Sequence, residues 1–176
     1  MELSQLDRTT LKLRVTRIDR QGTDRLINLA NEFASSISTK VLESLEKGDC
    51  SSSFADIAEA AKTKFCLYCL AIINCYATLE NNRNEIVGQK FANLKKLDPF
   101  LKAKGINHEK VLCHKTMEEF RQVNNAVKHH RLSEATTIIT ESGKRYGTKQ
   151  LESLYKRSRR LDSYLTDLFR KFANTQ

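Results

Sequence analysis

Residues Phe120-Arg-Gln-Val-Asn-Asn-Ala-Val-Lys-His-His-Arg131 gather adjacent amides, adjacent imidazoles and three cations in one short stretch. On a helix, Asn125 and His129 stand four apart, as do Asn124 and Lys128, and Arg121 lies one turn before Asn125 on the same side. A neutral imidazole can take a proton from a hydroxyl, while Arg or Lys stabilises negative charge growing on a phosphate. The array therefore suits an anionic ligand. His129 would be the proton-transfer group, Asn125 would orient a phosphate or ribose, and Arg121 and Lys128 would supply counter-charge, with His130 and Arg131 directly after. A plain helix C-terminus accounts for the same residues, because Lys, His and Arg there complement the dipole and cap carbonyls.

A second cationic group is Lys156-Arg157-Ser158-Arg159-Arg160, with Lys149 one heptad before Lys156. Tyr155 and Tyr164 interleave with it and offer rings for base stacking. The competing reading is a solvated helix face, with Glu152, Asp162 and Asp167 diluting the charge. Cys66-Leu-Tyr-Cys69 and Cys75 have the look of a metal or redox motif, but they fall inside the most apolar segment. No Gly or Pro makes a zinc knuckle there, and no helix N-terminus lowers a thiol pKa. Buried structural cysteines are the expectation, with no metal and no cofactor.

The charge of the whole chain is +9, and it is uneven. Residues 1–100 carry 14 Lys/Arg against 13 Asp/Glu, whereas residues 101–176 carry 16 against 8. The six glycines form neither a dinucleotide fingerprint nor a P-loop, and no nucleophile elbow or HExxH occurs, which removes the common ATPase and hydrolase classes. The longest uncharged apolar run, Phe65–Leu79, falls short of the roughly 20 residues a bilayer demands. With no apolar leader in the opening segment and an odd count of five cysteines, a cytoplasmic protein with reduced thiols is expected.

Helical elements must position these groups. One Pro in 176 residues leaves too few breakers for an all-β chain. Residues 3–20 fit both a strand period and a helical stripe, and the helix is preferred because no partner strand is evident. Leu26, Leu29, Phe33, Ile37, Val41 and Leu45 predict an amphipathic helix ending near Gly48, packed by that stripe. Asp49–Ser53 reads as a loop. Phe54–Glu80 becomes apolar all round from Phe65 and is expected at the centre of a bundle. Asn81–Glu85 predicts a break, followed by a helix from Glu85 to Lys96 that Asp98-Pro99 stops. Phe100–Asn107 reads as loop, His108–Lys128 as helix, and Ser133–Thr140 as a short helical piece. The last helix, Thr148–Phe172, places Leu151, Leu154, Ser158, Leu161, Leu165, Leu168 and Phe172 in a 3-4 alternation, the seam of a bundle helix or coiled coil. The expected fold is all-α: one domain over residues 1–176, a five- to six-helix bundle with a central apolar helix and a long C-terminal amphipathic helix. Residues 1–20 form an N-terminal extension.

Asn124-Asn125-Ala-Val-Lys-His129 resembles the Arg-Asn-x-x-x-His motif of the HEPN superfamily, whose members are small all-α bundles. That resemblance covers about ten residues of motif beside the general helix content. It implies an RNA- or nucleotide-binding protein or a metal-independent endoribonuclease, usually a homodimer, of toxin–antitoxin, phage-defence or RNA-processing type. His129 matches the motif His and Asn125 the motif Asn, but Asn124 stands where the family has Arg. That departure puts cleavage in doubt more than binding, since one such donor is worth about 10²–10³ in rate. The nucleic-acid contacts would come from His130, Arg131, Lys149, Lys156, Arg157, Arg159 and Arg160. The other function open to the sequence is a non-catalytic helical module, such as an adaptor, antitoxin or regulatory subunit, holding a protein partner.

Overall fold

A computed structural model describes residues 5–48, 53–91, 94–129 and 136–175. The described chain is mostly helical: α1 (Gln5–Val15), α2 (Gln21–Glu46), α3 (Ser53–Val87), α4 (Leu94–Ala103), α5 (His114–His129), α6 (Thr148–Lys156) and α7 (Arg159–Ala173). A 3-10 turn at His108–Lys110 precedes α5, and a two-strand hairpin, β1 (Ile138–Ile139) and β2 (Arg145–Tyr146), precedes α6. Within α3, Phe65, Cys69, Ile72, Cys75 and Leu79 are all wholly buried, as the apolar centre of the sequence requires.

The chain forms two compact units, each assembled from separate stretches. The first combines residues 1–19, 75–121 and 156–176. Its core joins Leu79, Leu97, Leu101, Met117, Phe120, Leu161, Leu165 and Leu168, all fully buried. Polar bonds fix its registers: the Ile18 N–H donates to Asp162 at 3.0 Å, Asn82 donates to the Arg17 carbonyl at 2.8 Å, and Arg14 pairs with Glu85 at 2.8 Å. Burial pushes the Asp167 carboxyl up. The Leu112 N–H at 2.9 Å, Arg170 and Lys171 outweigh that and hold it below the usual carboxylate range. The second unit combines residues 20–74 and 122–155. Asn74 donates to Thr23 at 2.9 Å, and the Tyr155 hydroxyl donates to Asp24 at 2.6 Å while its ring meets Tyr68 edge-on.

Several elements differ from the sequence reading. α3 continues through Asn81–Glu85 to Val87, because Leu79, Arg83, Ile86 and Val87 keep the helical spacing and are all buried; it stops at Gly88, in the left-handed region at φ 73°. α4 runs through Pro99 where a stop was expected; Leu97 and Leu101, buried on either side, outweigh the roughly 3 kcal/mol that an interior proline costs. α5 begins only at His114, after Cys113 takes a left-handed φ of 59°, and Leu112 points outward rather than into the core. The β-branched run Thr136–Thr140 carries the short strand β1, Ile138–Ile139, and no helical piece: Ile138 pairs with Tyr146 around a turn carrying Gly143 at φ 78°. Residues 133–135 of that segment, and the predicted loop 49–52, lie outside the described residues.

The 3-4 seam of the last helix is buried at every position from Leu151 to Phe172. The helix itself divides at Arg157-Ser158. There the ladder tightens to three-residue bonds, Arg160 N–H to Arg157 and Leu161 N–H to Ser158, both 2.9 Å. α2 departs most. Its predicted core stripe is largely outside: Leu26, Leu29 and Phe33 are 54%, 60% and 50% exposed, and Leu45 is exposed too. The line that packs is Thr23, Ile27, Ala30 and Val41.

Candidate functional site

The predicted array occupies the second half of α5, and the helix does place Arg121, Asn125 and His129 four residues apart. Arg121 is already engaged, since its Nε and Nη2 both reach the Glu118 carboxylate at 2.5–3.0 Å. Such a fork-to-fork pair leaves little of the guanidinium field for a ligand. Asn124, at the motif position that carries Arg in the HEPN pattern, is 2% exposed, with its amide 3.5 Å from Asn125 Oδ1. A cation there would be desolvated, so this position packs rather than binds. Asn125 is half-buried, and Lys128 and His129 are exposed at the end of α5. His130 and Arg131 lie outside the described residues.

Of the predicted nucleic-acid contacts, Lys149, Lys156, Arg159 and Arg160 are exposed. Arg157 instead turns inward and pairs with Glu119 at 2.7 Å. The two tyrosines do not present rings for stacking: Tyr155 is 7% exposed with its hydroxyl on Asp24, and Tyr164 is wholly buried. Cys69 and Cys75 are fully buried, and burial pushes the Cys69 thiol up to about 12, which makes it a packing group and not a nucleophile. Among the described residues no three His, Cys, Asp or Glu side chains converge to hold a metal ion.

The sequence reading missed a polar chain in the first unit. His108 Nδ1 lies 2.6 Å from Asp98 Oδ1, and its Nε2 lies 2.5 Å from the Tyr164 hydroxyl. Burial lowers the His108 pKa and the bond to Asp98 works against it, with a net downward shift. The ring is therefore neutral at pH 7. A carboxylate only accepts, so Nδ1–H donates to Asp98, and Nε2 accepts from the Tyr164 O–H. Burial also holds the Tyr164 phenol well above its ordinary range and pushes Tyr76 up to about 12, while Arg83 pulls both down. Arg83 is 0% exposed, with Nη2 3.7 Å from Glu80 Oε1; its guanidinium makes no hydrogen bond of good geometry among the described residues, yet acts on the Tyr76 and Tyr164 hydroxyls. Asp98 and His108 border a cleft of about 480 Å³ with Lys102, Ile106 and Asn107. Both imidazole nitrogens are occupied, so the chain Asp98–His108–Tyr164 orders the interior around Arg83 and leaves no free base toward the cleft. No local spacing announces it, because its members lie 10 and 56 residues apart.

The cationic excess is localised by the fold. The first unit holds 19 Lys/Arg against 11 Asp/Glu, whereas the second holds 11 against 10. Comparison of the chain with protein-family models, curated proteins and solved structures finds no match. No helix among the described residues is long and apolar enough to cross a membrane.

Proposed function

We propose that the protein binds RNA through the cationic surface of its first unit and does not cut it. The observation that carries this reading is the concentration of a +8 excess in one unit, with Lys156, Arg159 and Arg160 exposed where α6 passes into α7. Exposed Lys12 and Arg17 belong to the same unit, in which the Ile18 N–H ties the end of α1 to Asp162 of α7. Clustered cations release counterions from a phosphate backbone, which favours binding without demanding a base sequence. Binding is favoured over cleavage because Arg121 spends its charge on Glu118 and Asn124 is a packing residue.

The test is a mobility shift with generic single-stranded RNA at low salt, with EDTA as control. The wild type and His129→Ala should shift the RNA equally and leave it intact, and Arg159→Glu/Arg160→Glu should weaken binding at least tenfold. A wild type that fails to shift RNA ends the reading, as does a charge-reversed variant that binds normally. RNA degraded by the wild type but not by His129→Ala would instead establish the nuclease. A second reading, a helical module that holds a protein partner, is favoured by the exposed apolar face of α2.

A further inference from the structure

α2 has two apolar faces and packs only one of them within its unit. On the outer face Leu26, Leu29, Phe33, Ile37 and Lys40 are spaced three, four, four and three residues apart. That order reads the same in both chain directions, with Phe33 at its centre. Leu26, Leu29 and Phe33 are each at least half exposed, Ile37 is half-buried, and Lys40 is exposed. A contiguous apolar strip of this kind on an outer helix face marks an interaction surface.

We infer that this strip joins two copies of the chain, α2 against α2 in antiparallel register, about a two-fold axis at Phe33. A two-fold interface must be self-complementary. A seam symmetric about its own midpoint meets that condition. Phe33 then meets Phe33 of the second copy, each Leu29 meets an Ile37, and each Leu26 lies under the methylene stem of a Lys40, whose ammonium stays in water. The charges beside the seam obey the same symmetry. Arg25 and Glu43 are both exposed and stand 18 residues apart, about five turns, so they share one side of the helix. The axis that pairs the seam sets each Arg25 beside the other copy's Glu43, two ion pairs of opposite sign from one arrangement. A parallel pairing would leave Arg25 and Glu43 of the two copies about 27 Å apart along the axis, with neither charge matched.

The extent of the face agrees. α2 has 26 residues and spans about 39 Å. The seam from Leu26 to Lys40 takes about 21 Å of that length, four turns of contact on each copy. The inference stands apart from RNA binding, since α2 belongs wholly to the second unit.

Molar mass in solution, measured by light scattering on the full chain at tens of micromolar, tests it. The wild type should have twice the 20.2 kDa chain mass. Leu29→Glu, at an exposed position, should raise the dimer dissociation constant at least tenfold with unchanged circular dichroism. Leu42→Glu is the control: Leu42 is 63% exposed but half a turn round the helix from Phe33, and its variant should stay dimeric. Arg25→Glu and Glu43→Arg should each weaken the dimer, and together they should restore it. A monomeric wild type overturns the inference, whether or not another protein binds the strip. So does a dimer untouched by Leu29→Glu, or one that Leu42→Glu dissociates equally.

Discussion

Arg83 is a wholly buried guanidinium whose nearest acid, Glu80, is 3.7 Å away and partly exposed. Breaking a buried pair is costly when the remaining partner is also buried. Here the carboxylate left behind can reach water, so Arg83→Met should cost less than the roughly 3–5 kcal/mol of breaking a fully buried pair, read from the urea midpoint. A loss of that full size would mean that the guanidinium serves the interior through the Tyr76 and Tyr164 hydroxyls. His108 makes a second prediction, and its sign follows from its lowered pKa. The unfolded chain takes up a proton near pH 6.5 while the folded ring resists it, so stability is complete above that pH and declines as pH falls through it. The slope is at most about 1.4 kcal/mol per pH unit, a fall of a few degrees in Tm between pH 7 and 5. His108→Gln, which keeps one donor and one acceptor, should flatten that profile. Neither residue was legible in the sequence as part of a site. Arg83 sat in a polar run that read as a helix break, and His108 acquires its meaning from Asp98 and Tyr164 through contacts that only folding creates.

Two helices show when a stripe can be read from its residues. In α7 the seam Leu161, Leu165, Leu168 and Phe172 is the one apolar line that charge flanks, and it is buried as predicted, with Tyr164 and Asp167 buried beside it. Leu165→Ala should therefore cost about 2–5 kcal/mol in stability while the molar mass in solution stays the same. A change of oligomeric state in that variant would show that α7 faces outward. In α2 the apolar arc is wide, and two lines within it compete for the core. Ile27 and Ala30 on one edge bring the backbone close, and the bonds of Thr23 to Asn74 and of Asp24 to Tyr155 set the rotation toward them. Hydropathy weights Leu29 above Thr23. It does not register a polar anchor, so the bulkier line reads as the core although Leu26, Leu29, Phe33 and Leu45 of it lie outside.

For the molecule as a whole, the charge asymmetry noted between the two halves of the sequence is an asymmetry between units. The excess lies in a body assembled from the beginning, middle and end of the chain, and residues 101–176 look basic because most of them belong to it or adjoin it. If Lys156, Arg159 and Arg160 are the phosphate contacts, log K for single-stranded RNA should fall against log salt with a slope of about −2, from about 0.7 per contact. Arg159→Glu/Arg160→Glu should bring that slope to about −0.7 or nearer zero, since Lys156 alone remains, and an unchanged slope would place the contacts elsewhere. The path of the chain has another consequence. It passes between the units at residues 19–20, 74–75, 121–122 and 155–156, and three of those passages fall inside helices. A recombination event or a protease that cuts the chain into consecutive pieces thus delivers neither unit intact.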